Sequence, residues 1–157
     1  VILVSHSLGT VRDMCDQAAW LQNGQLKLSG PVDDTIAAYS YSAYDIPHAI
    51  DDYLRETVSE LGPLGWPVSD ATHIDAHGGG IVQGFKGGAV TLPRGLPARR
   101  VTEPIRTAFN DEGGIAGPLG WPETESSSDS DGSVRQTFAG GTIVVAPNHT
   151  YAVIPKR

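Results

Sequence analysis

The hexapeptide GPLGWP occurs at residues 62–67 and again at 117–122, and this recurrence constrains the fold more than any other feature of the chain. A six-residue match with a Trp in register across 55 positions marks the same place in two structural units. The surroundings agree. Ile50, Leu54 and Gly62 recur as Ile105, Phe109 and Gly117 at that same offset. Their spacing predicts a helix with one buried face before each motif, continued in the first copy by Tyr53, Thr57, Val58 and Leu61. Downstream, Gln83-Gly84-Phe85 recurs as Gln136-Thr137-Phe138, each followed by a Gly-Gly and a short β-branched run. The offset slips by two residues in between, where the second copy carries ETESSSDSDGS, a solvated loop able to absorb a deletion. Units this small bury their faces against each other. Residues 49–157 therefore read as a small α+β tandem-repeat module, with one unit over 49–103 and a second over 104–157.

Composition narrows the function classes. With 19 Gly and 11 Pro among 157 residues, short elements and many turns are expected. A formal charge of -7 leaves no basic stripe to release counterions, which argues against a nucleic-acid or anionic-lipid partner. The lone Cys15 excludes an internal disulfide and a cysteine-based zinc site. No apolar run approaches the roughly 18–20 residues that span a bilayer, so the chain reads as soluble.

Residues 1–40 carry a different pattern. Val1 to Val4 is a continuous apolar run, as expected of a strand covered on both faces. Leu8, Val11, Met14 and Cys15 then recur at helical spacing. Ala18–Leu21 and Gln25–Ser29 read as strands around the hairpin turn Asn23-Gly24, and Asp33–Tyr39 as a short helix after the Gly30-Pro31 break. Strand, helix, strand, strand, helix is an α/β order. The Tyr- and Ser-rich stretch 41–48 reads as a linker.

The stretch VILVSHSLGTVRDMCDQAAWLQNGQLKLSGPVDDTIAAY resembles the C-terminal part of an ABC-transporter ATPase, most of all the subunits that power export of cell-surface polysaccharide. The Ser-His pair after the apolar run, Cys15-Asp16, Trp20-Leu21-Gln22-Asn23-Gly24 and the Gly30-Pro31-Val32-Asp33 turn carry the likeness. The resemblance implies an ABC ATPase core, with Ser5 and His6 at the nucleotide and His6 as the switch histidine that contacts the γ-phosphate. It also implies ATP and Mg as cofactors of the full-length protein, a homodimer partner, a membrane permease, and a peripheral place on the cytoplasmic face of the plasma membrane. No G-x-x-x-x-G-K-[ST] phosphate loop occurs, nor a signature motif or an acidic strand end for magnesium. The expectation is a C-terminal fragment of a longer ATPase, inactive by itself and needing no cofactor.

The paired units resemble LGFP repeats with Trp in place of Phe: Leu64-Gly65-Trp66-Pro67 and Leu119-Gly120-Trp121-Pro122. Such modules occur mainly in actinobacteria that build mycolate-type envelopes, which implies contact with envelope glycans. Trp66 and Trp121 are candidate stacking platforms for sugar rings, with Asp70, Gln83, Glu123 and Gln136 as hydroxyl-bonding groups nearby. The competing reading is that each Trp fills its own unit's small core, as Phe85 and Phe138 do. Two imidazoles, His73 and His77, lack the third ligand that a zinc site needs, so no metal is expected. The Ser126–Asp131 run reads as a solvated loop with at most weak calcium affinity, and Asn148-His149-Thr150 is a glycosylation sequon.

Taken together, these features lead to the expectation of an ABC exporter subunit's C-terminal part with an appended glycan-recognition module. The alternative is a non-catalytic cell-wall or protein-interaction module carrying a vestigial ATPase segment.

Overall fold

The computed structural model describes residues 2–57 and 64–156. It is a mixed α/β chain whose sheets are all antiparallel. Val58, Leu61 and Gly62, expected to close the first unit's helix, lie outside the described residues.

The first tract folds as helix, hairpin, helix. α1 spans Leu8–Met14, and its N-cap Ser7 accepts a hydrogen bond from the Thr10 amide. β1 (Gln17–Gln22) and β2 (Gln25–Pro31) form a two-stranded hairpin. Its turn has φ of 51° at Asn23 and 75° at Gly24, the left-handed pair that Asn-Gly adopts readily. α2 (Val32–Ala43) buries Thr35, Ile36 and Ser40, and Tyr39 meets Trp20 edge-on at 5.9 Å.

The strand expected over Val1–Val4 is not formed at its described residues 2–4, and an ABC ATPase core is not shown. Residues 2–5 carry no strand, and Ile2 and Val4 are each 93% exposed. A parallel-type strand needs neighbouring strands and covering helices, and no described segment pairs with it.

The two units that follow share one plan. In the first, α3 (His48–Thr57) precedes β3 (Thr72–Ile74), β4 (Gly80–Phe85), β5 (Gly88–Pro93) and β6 (Arg99–Thr102), which pair in chain order. In the second, α4 (Ile105–Asp111) precedes β7 (Ser127–Ser128), β8 (Val134–Phe138), β9 (Gly141–Val145) and β10 (Tyr151–Pro155), again in chain order.

Alternation along the strands sorts the residues into two faces. Ile81, Phe85, Val90 and Leu92 of the first sheet pack with Ile50, Leu54 and Leu64. The opposite face sends Val82, Ile74 and Val101 into the second unit's core, beside Ile105, Phe109, Trp121, Phe138 and Ile143. α4 thus lies between the sheets, and the units share a core as stacked repeats do. Phe109 stacks on Phe138 with centroids 4.5 Å apart.

Candidate functional site

Each GWP motif is fastened to its own sheet in the same way. Gly65 and Gly120 both take φ of 64°, a left-handed turn that favours glycine. This turn brings the motif alongside the hairpin ahead of it. The amides of Lys86 and Gly87 donate to the carbonyls of Trp66 and Leu64, and those of Ala139 and Gly140 donate to Trp121 and Leu119. Pro67 bridges Phe85, and Pro122 bridges Phe138.

The paired glutamines form a second duplicated feature. Gln83 and Gln136 are fully buried. Gln83 Nε2 donates to the carbonyls of Asp45 and Ser69, each at 3.2 Å. Gln136 Nε2 donates to the carbonyls of Arg100 and Thr124 at 2.9 and 2.8 Å. Asp45 and Arg100, like Ser69 and Thr124, are equivalent positions. Even the neighbouring hydroxyls match: the Gly84 amide donates to Ser69 Oγ and the Thr137 amide to Thr124 Oγ1. Each amide ties a strand to the segment before its helix and to the segment after its Trp. Buried and engaged in this way, neither Nε2 faces solvent as a sugar-binding donor.

The tryptophans differ in what surrounds them. Trp121 is 4% exposed, and its Nε1 donates to the carbonyls of Ala76 and His77 at 3.2 and 3.1 Å. These carbonyls belong to a 3-10 turn, Ala76–Gly78, of the preceding unit. His77 takes φ of 50° there and places its Nε2 2.9 Å from the Gly117 carbonyl, at the start of the second motif. Trp66 is 6% exposed, with Lys86 Nζ 4.5 Å and Arg12 5.1 Å from the ring centroid. Its Nε1 makes no hydrogen bond among the described residues. A sugar ring stacking on Trp66 displaces cations from that face, and one stacking on Trp121 opens the contact between units.

The remaining candidates are scattered. Asp70 is exposed, and its Oδ1 accepts from the Asp45 amide. Glu123 pairs with Lys156 Nζ at 2.8 Å. His6 is exposed on the unpaired segment, and Ser5 Oγ accepts from the Ser7 amide. His73 and His77 join no cluster of three or more metal-ligating side chains among the described residues.

Residue type alone hid the clasp made by His77, yet the signal for the glutamines was present. Gln83 sits two residues from both Ile81 and Phe85, on the inward face by strand alternation, and Gln136 repeats that position.

Residues 64–117 match the LGFP repeat family. The match runs from the first LGWP motif to the glycine that opens the second, about a third of the chain. An LGFP repeat suggests a module associated with the cell surface or envelope. No helix among the described residues is long and apolar enough to cross a membrane.

The LGFP unit also borders an open cleft of about 410 Å³. Its floor is the outward face of the first sheet, with Ile74, Val82 and Ala89, and its wall is α4 with Arg106 and Asn110.

Proposed function

We propose that this chain is an envelope-recognition module whose stacked LGFP-type units bind cell-surface polysaccharide. The observation that carries this reading is the stacking itself. Two units joined through α4 hold a concave surface between them, and small-ligand sites favour concave junctions between packed elements. Calorimetric titration of the chain with envelope polysaccharide fragments tests it. Heat of binding with at least one glycan is expected; no heat with any, from protein whose Trp fluorescence reports a folded state, refutes it.

We further propose that residues 1–40 are the tail of an ATP-hydrolysing exporter subunit working on the cytoplasmic face with a permease and a second copy. Support comes from the motif series around Ser5-His6 and from the exposure of Ile2, Val4, Met14, Leu21 and Leu26. Such apolar density is usual where a further part of a domain packs. ATP and Mg belong to that larger assembly in this reading. Coding sequence upstream of Val1 decides it: a phosphate loop, a signature motif and an acidic strand are expected, and a stop codon or a secretion signal there defeats it.

A further inference from the structure

We propose that the cleft between the first sheet and α4 binds a carboxylate-bearing sugar unit, with Arg106 as its anion-binding group and Asn110 beside it. The proposal rests on the polysaccharide reading above and names the class of sugar.

The internal repeat supplies the argument. In α3 the positions equivalent to Arg106 and Asn110 are Asp51 and Arg55, which neutralise each other with Arg55 Nε 2.9 Å from Asp51 Oδ2. In α4 the cation has moved to the first position, and an amide stands where its partner would be. Arg106 forms no ion pair or hydrogen bond among the described residues, whereas Arg12, Arg55, Arg100 and Arg135 are each paired with a carboxylate; Arg94 and Arg99 also have no carboxylate partner there, but neither lines the cleft. Residues four apart share one helix face, and both Arg106 and Asn110 line the cleft together with an edge of Phe109, while Ile105 and Ala108 pack in the core.

The chemistry of the cleft selects the ligand. Its volume of about 410 Å³ is near the lower end of the roughly 300–1,000 Å³ usual for small-molecule sites, which suits one or two sugar rings. Ile74 and Val82, partly buried where they pack on the second unit's core, and Ala89 leave an apolar floor for the C–H face of a ring. Asn110 supplies a donor and an acceptor for hydroxyls. A planar guanidinium matches a carboxylate with two parallel hydrogen bonds. A single cation lining the cleft, in a chain of net charge -7, fits a monoanion better than a doubly charged phosphate.

The test follows amide chemical shifts of the full chain during titration with glucuronic acid, galacturonic acid, glucose and glucose 1-phosphate. A uronate is expected to shift residues of β4, β5 and α4 and to bind at least about tenfold more tightly than glucose, about 1.4 kcal/mol. Arg106→Gln is expected to remove that preference while leaving thermal unfolding unchanged, and Arg106→Lys to retain part of it. Equal affinity for glucose and uronate, undiminished uronate binding in Arg106→Gln, or tighter binding of glucose 1-phosphate each overturns the proposal while the polysaccharide reading stands. Binding of no saccharide at all, with envelope polysaccharide fragments also inert, overturns both.

Discussion

Replacing Gln136 with Glu tests whether the buried amide holds the second unit together. The side chain keeps its shape, but the Nε2 that donates to Arg100 and Thr124 becomes an oxygen facing two carbonyl oxygens. Two donated hydrogen bonds are lost, worth about 1 kcal/mol each. Gln136 Oε1 is already buried without a partner among the described residues, so its surroundings offer the new carboxylate no compensating donor. The charged form is therefore disfavoured in the folded chain, and the introduced carboxyl titrates well above the roughly 4.3 of an unfolded Glu. The sign follows by linkage. Below about pH 4.3 the carboxyl is protonated in both states, its O–H donates to one of the two carbonyls, and only the loss of the other hydrogen bond remains. As pH rises, the unfolded chain releases its proton first, and stability falls by about 1.36 kcal/mol per pH unit until the folded-state value is passed. Up to pH 7 that amounts to at most about 3.7 kcal/mol beyond the loss at low pH. Urea unfolding of wild type, Gln136→Glu and Gln136→Leu, followed by Trp fluorescence between about pH 4.5 and 7.5, reads this difference. Gln136→Leu should lose about 1–3 kcal/mol with no added pH dependence, because it leaves carbonyls unpaired but introduces no charge. If the stability of Gln136→Glu runs parallel to that of wild type across the range, the site is open to water and the reasoning fails.

The other perturbations separate features that the two units share from those they do not. Trp121→Phe should cost about 1 kcal/mol more than Trp66→Phe in denaturant unfolding, since only the Trp121 indole donates to carbonyls among the described residues; equal costs would contradict the clasp. Gly80→Ala should destabilise by about 2 kcal/mol or more, because its Cβ would lie 2.5 Å from the Leu92 carbonyl oxygen and 2.8 Å from Trp121 Cη2; an unchanged melting temperature would count against that packing. The carboxyl of Asp131 sits below the usual carboxylate range, chiefly because the Ser133 hydroxyl and then the Ser133 amide donate to it. Its small contribution is present above the ordinary Asp value and lost as pH falls through the lowered one. Ser133→Ala should move its titration midpoint upward in a carboxyl-detected NMR titration, and an unmoved midpoint would exclude the hydroxyl as the cause.

How far the sequence disclosed this structure depended on how local each determinant is. The Asn23-Gly24 hairpin was legible because two left-handed residues nearly specify that turn. The buried faces of α3 and α4 were legible because helical periodicity and the internal repeat marked Ile50, Leu54, Ile105 and Phe109 independently. The apolar run misled at its described residues 2–4, because an apolar stretch becomes a strand only where other strands pair with it. His77 stayed hidden because its role depends on a loop meeting a motif 40 residues further along the chain. The cleft was invisible for a similar reason, since its floor and wall come from different units.

The repeat also indicates where function should be sought. The residues identical in both units are buried ones: Trp66 and Trp121, Gln83 and Gln136, Phe85 and Phe138. Each faces the same demand in both copies, to close a small unit around a hairpin, and selection for closure keeps them alike whatever the module binds. Recognition needs surface, and the surface positions are where the copies diverge. Val82, Gly84 and Ala89 line the inner cleft, whereas their equivalents Arg135, Thr137 and Thr142 carry an Asp129 ion pair and a hydroxyl–hydroxyl bond on the outer sheet. The paired Asp51 and Arg55 of α3 become the unpaired Arg106 and Asn110 of α4. An unpaired cation beside an apolar floor is the feature on which the proposed sugar site rests. Specificity in this chain is therefore expected to change with substitutions at the divergent positions, and stability with substitutions at the identical ones.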